Sequence, residues 1–292
     1  MLRSLFAHEP HLAWLVLVDD SPTRRRLETM IEVPATCRVT VLRHPRQGIG
    51  DGYLGGLCVS VLHGFQWLSM NTTVRFALKI DADSLVVAPF AKRIEQVFTN
   101  CPNIGLIGAE GRTCNREQPT YGFETRAVSP LLRLAKWLSE RSDESTTTTS
   151  QAGLDDLSPL APHLIRAIRH GYRSMHYCQG GAYAVSSHLL QSMAVNNCFA
   201  SGPSWSFLSI GEDVMMGMFA YSVGMQIRDM SLDNEPFGCH WKGLPYPLDV
   251  LKDRKHSILH SLKSDRLEEE ISNYAAFGYD FAENICAPVS CG

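Results

Sequence analysis

The chain has 292 residues, 45% of them hydrophobic and 20% charged, which is material for one large packed domain or two small lobes. Its formal net charge of -3 argues against a broad nucleic-acid-binding face, which needs clustered Lys and Arg. The longest apolar run near the start, Leu12 to Val18, stops at Asp19-Asp20, falls short of the roughly 18 residues a spanning helix needs, and lacks a signal-peptide cleavage pattern.

Taken in order, Leu2 to Ala7 has room for one or two helical turns. Leu12 to Val18 is a continuous apolar run, the mark of a strand buried on both faces. Asp19-Asp20-Ser21-Pro22 ends it as a turn, and a charged helix is expected from Thr23 to Ile31. Arg38 to Leu42 reads as a second strand. A glycine-rich loop, Gly48 to Gly56, opens a helix over Leu57 to Met70, and Val74 to Ile80 reads as the next strand. This alternation predicts an α/β fold with a mainly parallel central sheet flanked by helices. In such sheets ligands sit beyond the carboxyl ends of the strands, where Asp19, Asp20, Asp81 and Asp83 fall.

The second half is less regular. A strand is expected near Ile104 to Ile107, a helix from Leu131 to Glu140, and a loop insertion from Ser142 to Ser150, which has no large apolar residue. Ala182 to Val185 reads as a strand entering a helix at Ser187 to Met193. Glu212 to Met225 fits a helix with Val214, Met218, Tyr221 and Met225 on one face, and the tail from Leu251 to Tyr274 reads as helical and charged. With no internal repeat, the expectation is a single domain over 1–292: a nucleotide-binding half to about residue 110, then an acceptor half and tail. The nine cysteines are an odd, scattered set, read as reduced and mostly buried thiols in a cytoplasmic protein.

Three motifs carry candidate chemistry. Asp81-Ala82-Asp83 at a strand end offers hard oxygen ligands for a divalent cation, although Asp-x-Asp at such a place also makes an ordinary turn. Gly211-Glu212-Asp213 sets two carboxylates at a helix N-terminus, where the dipole favours negative charge; the alternative role is capping. His240, in Phe237-Gly-Cys-His-Trp-Lys-Gly243, offers an imidazole as a third ligand, against the plainer role of a structural histidine, and Lys242 offers a charge for phosphate. Gly180-Gly181 lets backbone approach a ligand closely, or simply makes a tight strand entry.

In sequence order these motifs resemble nucleotide-sugar glycosyltransferases of the GT-A fold, over about Leu12 to Lys242. Val16 to Pro22 and the following glycine-rich loop are similar to family 2 enzymes. Lys79 to Val86, Gly180 to Ser186 and Gly211 to Gly217 are similar to the galactosyltransferase and Fringe-like pattern. The resemblance implies metal-dependent transfer from a nucleoside diphosphate sugar, a UDP-sugar first among them, to a hydroxyl of a glycan, lipid or protein acceptor. It implies Asp213 as base with Glu212 beside it. Asp19, Asp20, Asp81, Gly180, Gly181 and Lys242 would lie on the donor, and Asp81, Asp83 and His240 on Mn²⁺ or Mg²⁺. One departure stands out: family 2 enzymes carry a strand before the one ending in Asp-Asp, and only Met1 to Pro10 precedes it here.

Three rival readings stay open. Gly50-Asp-Gly52-Tyr-Leu-Gly55 spells the glycine pattern of an NAD-type dinucleotide-binding oxidoreductase, but the stretch His44 to Ile49 intervenes after the strand, where those glycines should follow tightly. Ile80 to Ser84 is similar to a haloacid dehalogenase phosphatase motif, but Gly217 stands where that class needs an Asp four residues past Asp213. The third is a glycosyltransferase-like protein that binds without turnover.

Overall fold

The computed structural model describes residues 1–21, 27, 31–44, 55–110, 159–173, 176–206, 208, 210–240, 243–263 and 267–279. The expected helices at Thr23–Ile31 and Leu131–Glu140, the insertion near 142–150 and the Gly50–Gly55 pattern lie wholly or mostly outside them.

The fold is mixed α/β with no closed barrel. Its central sheet has the order β3 (Phe76–Ile80), β6 (Cys178–Ser186), β5 (Ile104–Glu110), β7 (Gln226–Asp229). This corrects the expectation of a mainly parallel sheet. β6 runs antiparallel to both of its neighbours, and only β5 and β7 pair in parallel. A strand buried on both faces is apolar whichever way it runs, so direction leaves no mark in its composition. β1 (Trp14–Asp19) and β2 (Arg38–Arg43) form a separate parallel pair, and β4 (Leu85–Val86), β9 (Ile258–His260) and β8 (Phe237–Cys239) form a third sheet in that order.

Period-two alternation along the central strands builds two cores. Tyr183, Val185 and Leu106 face one way, against helices α2 (Gly55–Asn71), α4 (Ala161–Arg169), α5 (Ser187–Val195) and α7 (Glu212–Ser222). Ala182, Ala184, Ile107 and Ala109 face the other, against α1 (Leu2–His8), α3 (Ala91–Asn100) and strands β8 and β9. A short helix, α6 (Gly202–Trp205), lies against α2: a Cβ at Gly55 would stand 2.2 Å from the Trp205 carbonyl. Because β3 pairs with β6, the supposed nucleotide and acceptor halves share one sheet.

Local signals set the helix ends. Ser186 caps α5, its hydroxyl accepting from the Leu189 amide at 3.0 Å. α7 stops at Ser222, three residues short of the expected Met225, because Gly224 turns left-handed at φ 79° and ends the helix. The tail departs most from expectation: it is not one helix but α8 (Leu248–Arg254), then strand β9, then α9 (Leu267–Ala275). Among the described residues no helix is long and apolar enough to cross a membrane. The six described cysteines are all free thiols.

Candidate metal centre

Asp81 follows β3 directly, its amide donating to the Gly181 carbonyl of β6 at 2.9 Å, and a tight turn closes as the Ser84 amide bonds the Asp81 carbonyl at 3.1 Å. The turn sets the Asp81 and Asp83 carboxylates, each about one-third exposed, against His260 at the end of β9. Asp83 Oδ1 lies 3.3 Å and Asp81 Oδ2 3.7 Å from His260 Nε2, and one ligand atom from each of the three residues falls within 4.8 Å of the others.

The imidazole is oriented from behind. His260 Nδ1 lies 2.7 Å from the His240 carbonyl, which can only accept, so Nδ1 carries the proton. Nε2 is left facing the carboxylates. A histidine that donates one ring nitrogen to a carbonyl and presents the other is set up as a metal ligand. Burial works to raise the Asp83 pKa, but the His260 contact and a 2.8 Å hydrogen bond from the Ser261 hydroxyl hold it well below the usual carboxylate range.

The sequence assigned the third ligand to His240. The structure brings His260 there instead; of His240, the amide and carbonyl bond His260, the amide donating to the His260 carbonyl at 2.7 Å. The sequence offered a faint signal for His260: two apolar residues, Ile258 and Leu259, between histidines at 256 and 260 in an otherwise charged stretch.

Behind the carboxylates lies Lys79, a residue with no role assigned from the sequence motifs. Its buried ammonium binds Asp81 Oδ1 at 2.6 Å, Glu212 Oε1 at 2.9 Å, and the Gly180 carbonyl. Burial alone would lower its pKa, but the two carboxylates outweigh that and raise it. Glu212 is thus the buried partner of Lys79 and not an exposed acid. Lys79 thus offsets part of the carboxylate charge gathered here, and the site stays acidic, as a cation site requires.

The adjacent glycines fit this packing. A Cβ at Gly181 would lie 2.1 Å from the His260 ring, and one at Gly180 would lie 2.7 Å from Glu212 Oε1. Their missing side chains make room for two neighbours within the protein. Asp213, half-buried on the first turn of α7, accepts from the Val214 amide at 2.8 Å. Burial first, then the charges of Glu212 and Asp213, push the Cys58 thiol and Tyr183 phenol upward, so both stay neutral beneath the site.

The other expected donor residues stand at the end of β1. Both oxygens of Asp19 are engaged, Oδ1 by the Ser21 amide at 3.0 Å and by its hydroxyl, Oδ2 by Arg43 at 2.7 Å. Burial opposes its ionisation, but these partners hold its pKa below the ordinary value. Asp20 lies 3.6 Å from the buried His44 ring. Lys242 lies outside the described residues. Compared with known proteins, the chain matches no family model, no curated protein and no solved structure.

Proposed function

We propose that the chain is a metal-dependent glycosyltransferase that moves a sugar from a nucleoside diphosphate, UDP foremost, to an acceptor hydroxyl. The observation that carries the reading is the Asp81–Asp83–His260 group, with its imidazole oriented by the His240 carbonyl. Three protein atoms do not fill the shell of an oxygen-seeking divalent ion, so phosphate oxygens have places to bind. Mn²⁺ or Mg²⁺ held there neutralises the charge that collects on the leaving diphosphate.

The protein's own part is positional. Lys79 fixes the Asp81 carboxylate on one oxygen and joins it to Glu212, next in the chain to Asp213. Asp213 takes the proton of the acceptor hydroxyl as its oxygen bonds the anomeric carbon and the bond from that carbon to the diphosphate oxygen breaks. Direct displacement of this kind inverts the anomeric centre, and retained stereochemistry in the product would exclude it.

The test is thermal stability with UDP, GDP and NAD, each with and without Mn²⁺, since ligand binding to the folded state raises the melting temperature. A shift with one nucleoside diphosphate that needs Mn²⁺ supports the reading; a metal-independent shift with NAD overturns it. Asp83→Ala should abolish the metal-dependent shift. Asp213→Asn should preserve it and cut turnover by about 10² or more.

A further inference from the structure

A second concave site lies against β8. It is a cleft of about 330 Å³ walled by β8, by the loop before it and by α8, with Leu232, Asp233, Cys239, Tyr246, Arg254 and His256 among its lining residues. The catalytic reading leaves it unused.

Its chemistry is specific. His256 is buried, and its Nδ1 donates to the Glu235 carbonyl at 2.8 Å. Burial lowers its pKa, so the ring is neutral and Nε2 is an acceptor; that atom is buried and has no hydrogen-bond partner among the described residues. Gly238 lets the ring lie close on β8, since a Cβ there would stand 2.9 Å from His256 Cδ2. Arg254 lies 3.2 Å from Asp233, with its guanidinium 3.8 Å from the Tyr246 ring centre. The pair cancels in charge, so neither an anion nor a cation is selected. What remains is a carboxylate acceptor, guanidinium donors, and apolar wall from Leu232 and Tyr246. The size is at the small end of ligand pockets, which run from about 300 Å³ upward.

We infer that this cleft is a saccharide subsite, holding one neutral sugar ring whose hydroxyls bond Asp233 and Arg254, with the buried His256 ring packed beneath it. Strand β8 links it to the metal centre: Cys239 lines the cleft and pairs in register with His260, and the next residue, His240, orients the His260 ring. As the seat of an acceptor sugar it rests on the transfer reading above; as a sugar-binding site it stands alone.

The test is saturation-transfer NMR on the whole chain with methyl glucoside, methyl galactoside and methyl mannoside, alongside Mn²⁺ titration by electron paramagnetic resonance. At least one glycoside should bind with millimolar affinity. Leu232→Trp, a change at the exposed rim that fills the cleft, should weaken it about tenfold or more, as should Asp233→Ala, which removes the carboxylate acceptor. Absence of transfer with all three glycosides, or unchanged binding in Leu232→Trp, would overturn the subsite. Glycoside binding without Mn²⁺ binding would uphold the cleft and overturn the transfer reading.

Discussion

His260 Nε2 faces Asp83 Oδ1 across 3.3 Å, joining the turn after β3 to the end of a strand near the far end of the chain. The contact is directional because the other ring nitrogen is tied to the His240 carbonyl. The two histidines therefore have separable roles. Replacing His260 removes a ligand, whereas replacing His240 removes a side chain and leaves the orienting carbonyl in place. His260→Ala should weaken Mn²⁺ binding at least about tenfold, near 1.4 kcal/mol, and His240→Ala should change it by less than about threefold. Paramagnetic titration of both variants decides it. A greater loss in His240→Ala would restore the ligand set expected from sequence.

Gly180 and Gly181 separate two effects that lie one residue apart. Gly181→Ala drives a methyl into the His260 ring, so it should lower both melting temperature and Mn²⁺ affinity. Gly180→Ala meets the Glu212 carboxylate and should mainly cost stability, in the range of about 1–3 kcal/mol for overpacking. Chemical denaturation with Mn²⁺ titration reads both. Equal loss of metal affinity in the two variants would show that the glycines act together and not through separate neighbours.

Lys79 and Glu212 form a buried ion pair, which is more costly to break than to remove. Lys79→Met leaves Glu212 buried without its cation, and a loss of about 3–5 kcal/mol is expected. Lys79→Met with Glu212→Gln should recover most of that loss, because the uncompensated charge that remains, on Asp81, is about one-third exposed and solvated by water. Urea unfolding of the wild type, both single variants and the double variant gives the coupling. Additive losses would mean that Lys79 acts through Asp81 alone.

The sequence disclosed the elements whose signals are local and periodic. The apolar runs before Asp19 and Asp81, the helix after the glycine-rich loop and the strand leading into the helix at Ser187 all stand in the fold near their expected places. It also placed Asp81, Asp83 and Asp213 at element ends. Strand direction was not legible, because the buried strand β6 has the same composition in either sense. Nor was β9, at three residues too short for a period to register within a charged tail. With β9 hidden, the partner of the Asp-x-Asp motif was hidden too, and His240, at the end of the neighbouring strand, was the nearest visible substitute. The neighbours of Gly180 and Gly181 were hidden for a related reason. A glycine signals close approach but not what approaches, and here a carboxylate and an imidazole of the protein do.

Away from the site, His163 on α4 gives the fold a defined sensitivity to acid. It is buried edge-on against Phe219, with ring centres 5.4 Å apart, and Arg166 donates to its Nδ1 at 2.9 Å. Burial first, then the Arg166 charge, lowers its pKa to about 4. In the unfolded chain a histidine takes its proton near 6.5, so between these values the unfolded state binds more protons and stability falls as pH falls. The contribution is complete above about pH 6.5 and is lost progressively toward about pH 4, a difference of roughly 2–3 kcal/mol. Asp83, whose pKa is depressed below the carboxylate range, acts in a lower window: its stabilisation is intact above its unfolded value, near 3.9, and is lost only in stronger acid. His163→Gln retains an acceptor for Arg166 but does not titrate. Urea unfolding at pH 7 and near pH 4.5 should therefore show a smaller acid loss in the variant than in the wild type. Parallel losses in the two proteins would mean that His163 takes up its proton equally in the folded and unfolded states.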